Sequence, residues 1–496
     1  MHAIKARKDV SYTSLLYSRL SMKKSNPLKN GGSKMPRNIA VVILAAGKGT
    51  RMKSNLPKVL HKIGGKSMLE EVLSTAEKLN PQRVIVVVGF GANQVKAILP
   101  EGVIAVEQVQ QLGTGHAMMQ AMPALEGFNG SVVTLYGDVP LLTLDTLNKL
   151  LDKHTQTDAA VTVLTALLED PSGYGRIVRN GEIFDRIVED KDASLEEKKI
   201  KEINSGVYCF SSDALEKYLP QLTPQNKQGE YYLTDILELA KKDNKVVETF
   251  ITNDSAEILG ANNRVQLAEL AQLRNQRKLQ KLMISGVTIF DPNNTYIDDD
   301  VEIEPDTIIQ PGTFLYGNCR IGSGSIIGPY TTLVNVEVGS NVVIERSVVE
   351  EAKVQQGACV GPFSHIRPGS IVCQDAKIGN YVELKNSTVG KGSKASHLTY
   401  LGDTTLGKNV NIGAGTITCN YNGQEKFSTE IDDNAFIGSN SSLVAPVKIG
   451  KNAVTGAGST ITKDVPSNAL AVGRGKQVNY KDWVLKKKIK RKEFKE

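Results

Sequence analysis

Short apolar runs alternate with helical stretches between Asn38 and Asn262. The runs are apolar throughout, as expected for strands of a parallel sheet that is covered on both faces. They are Ile39 to Leu44, Val84 to Val88, Val103 to Val106, Val132 to Tyr136 and Ala160 to Leu164. Between them lie helical segments at Ser67 to Leu79, Thr114 to Met122 and Leu144 to Leu151. The alternation predicts an α/β doubly wound, Rossmann-like domain over residues 37–262, with ligands where strands end and loops enter helices.

A long helix is predicted after this domain. Apolar residues recur near helical spacing up to Ile284, and Gly286 follows as a stop signal. The apolar positions are Val265, Leu267, Leu270, Leu273 and Leu279. We expect a linker helix over residues 263–285, and the alternative is that this is the last helix of the first domain.

The chain after Gly286 repeats an aliphatic residue followed by glycine, at separations of six residues or near multiples of six. A six-residue period is typical of a parallel β-helix, in which the aliphatic side chain fills the axis of a narrow coil. We expect the following glycine to round a corner that only a residue without Cβ enters cheaply. Alternation in an ordinary sandwich is the alternative to a β-helix over residues 286–480. The pairs are Ile321-Gly322, Ile327-Gly328, Val338-Gly339, Ile378-Gly379, Val389-Gly390, Leu406-Gly407, Ile412-Gly413, Ile437-Gly438 and Ile449-Gly450.

The composition is that of a folded protein with more than one domain. The chain has 496 residues, of which 40% are hydrophobic, and no apolar run approaches the ~20 residues that span a bilayer. Residues 1–35 hold eight Lys or Arg against one Asp, and residues 481–496 hold eight against three acidic residues. The total of +7 therefore leaves a net charge of about −5 between the ends. This speaks against nucleic-acid and membrane partners.

The two basic ends are predicted to lie outside the folded body. Residues 1–36 are expected to form a disordered extension; the alternatives are a targeting peptide and a true start at Met35. Residues 481–496 are expected to form a solvated basic tail, with contact to an anionic surface as the alternative.

Cysteine usage indicates the compartment. The five cysteines are odd in number, widely spread and never in CxxC spacing. This argues against a disulfide framework or a zinc site and predicts a reducing, cytoplasmic location.

A glycine-rich loop follows the first strand. It reads LAAGKGTRM from Leu44 to Met52, and Leu56-Pro57-Lys58 comes shortly after. Glycines at a strand end let backbone N–H groups approach phosphate oxygens, while Arg51 and Lys58 neutralise charge that develops there. It is not a Walker loop, because no Gly-Lys-Ser/Thr closes the pattern. The sequence predicts a phosphate site, with a simple turn as the alternative.

Asp138 ends the fourth apolar run, in Tyr136-Gly137-Asp138. This places a carboxylate at the ligand edge of the sheet. A single Asp together with substrate phosphates is a usual way to hold Mg²⁺. Asp138 is therefore the predicted metal ligand, and a turn former or helix cap is the alternative.

These motifs resemble the sugar nucleotidyltransferase family. With the hexapeptide half, residues 37–474 resemble bifunctional bacterial enzymes that join a glucosamine-1-phosphate acetyltransferase to an N-acetylglucosamine-1-phosphate uridylyltransferase. The resemblance implies a left-handed β-helix, a homotrimer with acetyl-transfer sites between neighbouring β-helices, and UTP and acetyl-CoA as co-substrates. It also implies synthesis of UDP-N-acetylglucosamine for cell-wall and lipopolysaccharide precursors.

The resemblance assigns most of the first site. It implies in-line attack of a sugar-1-phosphate oxygen on the α-phosphorus of UTP, aided by Arg51 and Lys58, with no covalent intermediate; His116 is interpreted as a packing residue. Turns, a helix start, a surface acid or a helix cap remain alternatives for single residues. The implied uridine-nucleotide residues are Leu44, Ala45, Ala46, Gly47, Gln108, Gly113 and Thr114, with Lys58, Tyr136, Gly137 and Asp138 also on substrate; those for the aminosugar are Gly175, Glu189 and Asn204, and Asn262 joins Asp138 on Mg²⁺.

His397 is the predicted general base of the second site. It lies where the six-residue rhythm is interrupted, and acetyl transfer to an amine needs a base of near-neutral pKa. An ordinary surface histidine is the alternative. Ser396 is a departure from the family, which often has glycine there, and adds a side chain beside the base. The resemblance implies Arg367, Lys385, Tyr400 and Asn411 for glucosamine-1-phosphate, and Ala414, Asn420, Tyr421, Ser439, Ala457 and Arg474 for acetyl-CoA or the acetyl acceptor.

Two other functions stay open at this point. A narrower enzyme would keep only nucleotidyl transfer and use the coil for oligomerisation or regulation. A non-enzymatic scaffold would share the two-domain layout, as some translation-factor subunits do. The presence of Arg51, Lys58 and Asp138 counts against the scaffold.

Overall fold

The computed structural model describes residues 37–487. The extension predicted at 1–36 and residues 488–496 of the predicted basic tail lie outside this range. Over the described range, none of the helices combines the length and the apolar character needed to span a bilayer.

One nine-stranded sheet organises the first half of the described chain. Its order is β11-β7-β10-β6-β1-β4-β5, and the β8–β9 hairpin is attached to β10. A separate two-stranded hairpin, β2–β3, follows the glycine-rich loop. The strands are β1 Ile39–Ala45, β2 Lys62–Ile63, β3 Lys66–Ser67, β4 Arg83–Val88, β5 Ile104–Glu107, β6 Ser131–Tyr136, β7 Val161–Leu167, β8 Arg176–Asn180, β9 Ile183–Val188, β10 Glu202–Ser211 and β11 Val247–Ile251.

The five predicted strands are confirmed as β1, β4, β5, β6 and β7. These five strands run in the same direction, but the sheet also contains β10, which was not predicted and runs antiparallel to both β6 and β7. The apolar pattern missed this strand because it buries polar side chains, among them Glu202 and Asn204. Glu202 accepts hydrogen bonds from Thr165 and Arg179, which makes its burial tolerable.

Seven helices are described in the first half, and local chemistry explains where they begin. Ser67 and Glu70 form a capping box at the start of α1, and Asn263 accepts a hydrogen bond from the Gln266 N–H at the start of α7. The helices are α1 Met68–Glu77, α2 Ala92–Lys96, α3 Thr114–Leu125, α4 Leu144–Gln156, α5 Ser212–Tyr218, α6 Asp235–Lys242 and α7 Arg264–Ile284.

Helix α7 contacts both halves. Its Leu270 packs with Ile63 and Met68 of the first half, whereas Leu279 and Leu282 join the core of the coil. The predicted long helix is confirmed, and its role as a linker between the two halves stays a prediction.

A coil of parallel strands follows from Thr288 to Ala471, a left-handed β-helix with three strands in each turn. One face, here called the charged face, has strands Glu302–Ile303, Arg320–Ile321, Glu337–Val338, Lys353–Val354, Ile371–Val372, Thr388–Val389, Thr404–Leu406, Thr429–Ile431 and Val447–Ile449. The second face has Thr288–Ile289, Ile308–Ile309, Ile326–Ile327, Val343–Ile344, Cys359–Val360, Asn411–Ile412, Phe436–Ile437, Val454–Thr455 and Leu470–Ala471. The third face has Tyr296–Ile297, Phe314–Tyr316, Thr332–Val334, Val348–Glu350, His365–Ile366, Ile417–Cys419, Ser442–Val444 and Thr460–Ile461.

Two long strands, Lys377–Lys385 and Lys394–Gly402, pass from the second face through the corner to the third. The predicted aliphatic positions fill the axis, since Ile327 pairs with Ile344 in the next coil and both are fully buried. The six-residue period is therefore confirmed.

The reason expected for the glycines is wrong at most positions. A Cβ added at Gly390 would lie 2.1 Å from the Gly407 oxygen, and one at Gly322 would lie 2.7 Å from the Gly339 carbonyl carbon. Neither glycine has a positive φ. Glycine is needed there because the backbone of the next coil passes too close for a side chain. The left-handed corners lie elsewhere and often carry asparagine, as at Asn341 and Asn409.

The buried His154 predicts a pH dependence of stability. Burial lowers its pKa to about 4, against a smaller opposing effect of Asp158, and its Nδ1 lies 3.0 Å from the Thr162 hydroxyl. Unfolding restores a pKa of about 6.5, so the stability that neutral His154 contributes is present above that pH and is lost on acidification towards 4. Urea unfolding of the wild type and His154→Gln from pH 7.5 to 4.5 should show their stability difference shifting against the wild type by about 1.4 kcal/mol per pH unit below 6.5. A difference that stays constant with pH would contradict this assignment.

Candidate functional site

A cavity of about 360 Å³ opens at the carboxyl edge of β1 and β6. It collects eleven of the predicted residues from five separate parts of the chain, namely Leu44, Ala45, Ala46, Gly47, Lys58, Gln108, Gly113, Thr114, Tyr136, Asp138 and Asn262. The sequence analysis did not name the other lining residues, which are Val59, Gln111, Ala117 and Glu230.

Parallel pairing of β1 with β6 explains why the glycine-rich loop meets Asp138. Leu44 is paired with Tyr136, so both strands end at the same edge. The N–H of Gly137 donates to the Leu44 carbonyl at 3.0 Å, so the residue just before Asp138 is still bonded to the end of β1. A Cβ added at Gly137 would meet Val59 and Ala45 at 3.1 and 3.2 Å, so glycine keeps this turn tight.

Lys58 bridges two oxygen ligands at this edge. Its Nζ lies 2.5 Å from Oδ2 of Asp138 and 3.1 Å from Oδ1 of Asn262. The side chains of Lys58 and Asp138 are only 16% and 13% exposed. Asn262 does not cap α7, because Asn263 occupies the capping position. Asn262 instead lines the cavity. A carboxylate and an amide oxygen around one positive charge form a suitable place for a cation.

The glycine-rich loop is shaped by close approach to Lys58. Gly49 has a φ of +59°, and a Cβ added there would lie 2.7 Å from the Cβ of Lys58. Arg51 is exposed on the short helical turn Thr50–Met52 and does not line the cavity, so the structure does not gather it with the other predicted residues.

Arg264 is a residue that the sequence analysis missed. Its Nε donates to the Met52 carbonyl at 3.3 Å, and its Nη1 lies 3.2 Å from Nδ1 of the buried His61. Burial and then the Arg264 charge lower the pKa of His61, which keeps the ring neutral. The first residue of α7 thereby ties the glycine-rich loop to the segment after Lys58.

The three predicted aminosugar residues lie together beside this cavity. A Cβ added at Gly175 would lie 3.3 Å from Oε1 of Glu189 and 3.5 Å from Cβ of Asn204. The Asn204 N–H donates to the Gly175 carbonyl at 2.8 Å. Gly206, with a φ of +80°, packs against the ring of Tyr136, which connects this group to the first cavity.

Electrostatics set this group apart from the cationic edge. Burial raises the pKa of Glu189, and the nearby Asp192, Asp235 and Asp190 raise it further. Burial, then Glu189 and Asp138, also raise the pKa of Tyr136. Gly175, Glu189 and Asn204 contribute a carboxyl group and an amide but no positive charge, which suits the hydroxyl groups of a sugar better than a phosphate.

His397 lies at the corner between the second and third faces. The two long strands pair Asn380 with His397, and Oδ1 of Asn380 lies 2.7 Å from Nδ1 of His397. Because an amide oxygen only accepts, Nδ1 carries the proton, and Nε2 of the neutral ring keeps its lone pair.

Stacking extends this corner into a column. Residue 395 pairs with Ile412, Ile412 with Ile437, and Ile437 with Thr455. Two residues after each of these positions come His397, Ala414, Ser439 and Ala457 in turn. The register therefore aligns the predicted base with three residues predicted for acetyl-CoA. The exposed Arg474 lies beside Gly458 at the end of the same column.

The predicted phosphate-binding cations are already paired. Arg367 contacts Glu383 at 2.9 Å, and Lys385 contacts Asp403 at 2.8 Å. The hydrogen bond to Asp403 is the main reason that the pKa of Lys385 is raised. Burial opposes ionisation of Asp403, but hydrogen bonds led by that from Lys385 outweigh it and lower the pKa.

Asp403 gathers further predicted residues of the coil. Nδ2 of Asn420 donates to Asp403 at 2.6 Å, and a Cβ added at Gly402 would contact both Asn420 and the Tyr400 hydroxyl. Asn411 lies on the second face and Tyr421 in an exposed loop, so the structure does not bring these two into the group around Asp403.

Asn380, Glu383 and Asp403 were missed by the sequence analysis. Asn380 precedes its partner by 17 residues and Asp403 follows Lys385 by 18, which is one coil in each case. A search of the sequence at the coil length would have found both.

The two halves of the chain match the models of two different families. Residues 41–287 match the MobA-like NTP transferase domain. Residues 300–335 and 428–463 match the bacterial transferase hexapeptide, a model of six repeats.

Curated relatives cover nearly the whole chain. The bifunctional protein GlmU of Carboxydothermus hydrogenoformans is 51% identical over 445 residues, spanning 89% of this chain and 99% of its own length. The proteins of that name from Brevibacillus brevis and Thermotoga maritima are each 50% identical over 90% of this chain, covering 97% and 99% of their own lengths.

Proposed function

The chain belongs to the family of bifunctional GlmU proteins, and on that premise we propose which residues carry each of its two reactions. It is a bifunctional transferase with a nucleotidyltransferase half and a hexapeptide acyltransferase half. The coil transfers an acetyl group from acetyl-CoA to glucosamine-1-phosphate. The first half then transfers a uridylyl group from UTP to N-acetylglucosamine-1-phosphate and releases pyrophosphate.

The cavity at the carboxyl edge of β1 and β6 is the proposed site of uridylyl transfer. The observation that carries this assignment is Lys58, held between Asp138 and Asn262 at the end of the glycine-rich loop. In the reaction an oxygen of the sugar phosphate bonds to the α-phosphorus, and the bond from that phosphorus to the pyrophosphate oxygen breaks. Both substrates are anionic, so alignment and charge neutralisation are the main tasks of the site.

Lys58 supplies a cation from within the cavity, and Arg51 is the proposed second cation from the exposed loop. Gln108, Gly113 and Thr114 would hold the uridine nucleotide together with residues 44–47. Gly175, Glu189 and Asn204 would contact the aminosugar. Tyr136 lies between these residues and the nucleotide cavity, so its side chain would contact both substrates.

Asp138 and Asn262 are the proposed ligands of Mg²⁺. They contribute one carboxylate and one amide oxygen, which fits an ion that takes its other ligands from water and substrate phosphates. When bound, the ion neutralises charge on the triphosphate. The contact of both oxygens with the Lys58 ammonium supports this assignment, because it marks a place where a cation is stabilised.

His397 is the proposed general base of acetyl transfer. Asn380 holds its Nδ1–H, so Nε2 is the atom that takes a proton from the substrate amine as the nitrogen attacks the thioester carbonyl. The carbon–sulfur bond then breaks, and the proton passes on to the departing thiolate. The column of Ala414, Ser439 and Ala457 would carry the extended acetyl-CoA, with Asn420, Tyr421 and Arg474 as further contacts.

Arg367 and Lys385 are the proposed ligands for the phosphate of glucosamine-1-phosphate, with Tyr400 and Asn411 on the same substrate. Register places Arg367 beside Lys385, since Ile366 pairs with Leu384. Phosphate would compete with Glu383 and Asp403 for these cations, and two cations suit one phosphate dianion.

We propose a homotrimer whose contact runs along one corner of the coil. Tyr330, Phe363, Tyr381 and Leu398 are 71%, 53%, 57% and 59% exposed, and each has a φ between 47° and 60°. The rings of Phe363 and Tyr381 stack at 5.4 Å. A left-handed conformation costs a residue with Cβ roughly 1 kcal/mol or more, and exposed apolar columns mark interaction surfaces. Leu398 directly follows the base, so such a contact would adjoin the acetyl-transfer site.

The division of the chain into residues 37–262, 263–285 and 286–480 is likewise proposed. The contacts of α7 with both halves support its separate treatment. A reducing, cytoplasmic compartment is proposed because the five cysteines are odd in number, widely spread and never in CxxC spacing.

Substitutions at the two sites should separate the activities. Asp138→Asn is expected to lower UTP-dependent pyrophosphate release by about 100-fold or more, because it removes the carboxylate at the phosphates, while CoA release is unchanged. His397→Ala should do the reverse, with a loss of about 100-fold or more in CoA release. Asp145→Asn, on the exposed face of α4, is the matched control and should leave both activities intact. If either site variant stays folded and loses both activities, or if His397→Ala leaves acetyl transfer intact, the assignment is wrong.

The corner column should determine the oligomeric state. Light scattering should give three chain masses for the wild type, and Tyr330→Glu with Phe363→Glu should give one chain mass, since two carboxylates would be buried in the contact. Acetyl transfer should fall in this variant while uridylyl transfer persists. Leu195→Glu, another exposed apolar position, should stay trimeric. A trimeric double variant would contradict the proposed contact.

A further inference from the structure

The side-chain amide of Gln108 is held in one orientation. Gln108 is only 3% exposed, and its Nε2 lies 3.0 Å from the carbonyl oxygen of Gly113. A carbonyl oxygen only accepts, so the amide group facing it must be the NH₂. The backbone is fixed as well, because the Gln108 N–H donates to the Val88 carbonyl at 2.8 Å.

His116 takes the second hydrogen of the same NH₂ group. Its Nδ1 lies 3.1 Å from Nε2 of Gln108 and therefore acts as the acceptor, which assigns the ring proton to Nε2. Nε2 of Gln120 donates to the backbone carbonyl of His116 at 3.4 Å, and the ring of His116 lies 6.3 Å from the ring of Tyr231. His116 was expected only to pack, but it also makes a specific hydrogen bond with Gln108.

The amide oxygen of Gln108 is left for a ligand. It accepts no hydrogen bond from residues 37–487. It also differs from Nε2 of His61, which is a fully buried atom without a partner. Gln108 lines the cavity, so the group offered there is an acceptor. Gln108 follows β5, which is three strands from β6, so it lies about 14 Å along the sheet edge from Asp138 of the Lys58 cluster, which follows β6. An uncharged amide at that distance suits the base of a nucleotide rather than its phosphates.

We propose that His116 is a specificity-determining residue, which consumes the last donor of Gln108 so that the cavity presents only an acceptor to the pyrimidine base. This inference rests on the proposed function, in which the cavity holds the uridine nucleotide. Uracil carries a hydrogen on N3 and can donate to this oxygen. Cytosine has a lone pair on N3, which would face the oxygen lone pairs and leave both without a donor.

Loss of the His116 acceptor would release one N–H of Gln108. The amide could then turn so that an N–H instead of the oxygen faces N3 of cytosine, and only the bond to the Gly113 carbonyl would oppose this turn. Discrimination should therefore weaken without being abolished, because a single acceptor continues to favour the original orientation.

The test compares UTP with CTP as nucleotide in the full-length protein, using pyrophosphate release with N-acetylglucosamine-1-phosphate. In His116→Phe, which keeps a ring near Tyr231, the ratio of kcat/KM for UTP to that for CTP should fall about tenfold. His116→Asn places an amide oxygen near the position of Nδ1 and should restore the ratio. In a Gln108→Ala background, His116→Phe should have no further effect on the ratio, since His116 acts through Gln108.

CoA release from the coil serves as the folding control, and His116→Ala provides a second variant without the acceptor if the phenylalanine variant does not fold. Equal losses for both nucleotides would show that His116 only supports the fold, and an unchanged ratio would likewise overturn the inference. A wild type that does not use UTP would instead refute the proposed function itself.

Discussion

Parallel pairing of strands is the constraint on which both sites depend. In the sheet it brings the ends of β1 and β6 to one edge, which places the glycine-rich loop beside Asp138. In the coil it repeats one corner every turn, so that His397 lines up with residues from later coils. Residues distant in sequence are therefore gathered by register, and hydrogen bonds then set their orientation.

The partner of each polar side chain determines its chemical role. His397 donates through Nδ1 to an amide oxygen, which leaves the lone pair of Nε2 for the proposed role as a base. His116 accepts at the same atom from an amide nitrogen and orients a neighbour instead. Lys58 is likewise defined by the two oxygens that surround it. The half-buried Glu189 is defined by its desolvation and then by the acidic residues nearby, which together raise its pKa. Residue type alone would not have distinguished these roles.

The sequence predicted whatever is local or periodic. The strands β1 and β6, the long helix α7 and the hexapeptide coil follow from apolar spacing, and the resemblance supplied most residues of the first cavity. The antiparallel β10 was missed because its buried polar residues break the apolar pattern. Asn380 and Asp403 were missed because their partners lie one coil away, and the close approach of neighbouring coils at Gly390 has no signature within a single repeat.

A crystal structure with Mn²⁺, UDP-N-acetylglucosamine and CoA tests most directly whether register builds two separate pockets. The account predicts an anomalous peak about 2.2 Å from the side-chain oxygens of Asp138 and Asn262, with the uracil ring near Gln108 and CoA density along the column from His397 to Ala457. A peak elsewhere with the Lys58–Asp138 contact intact, or CoA bound away from that column, would contradict it.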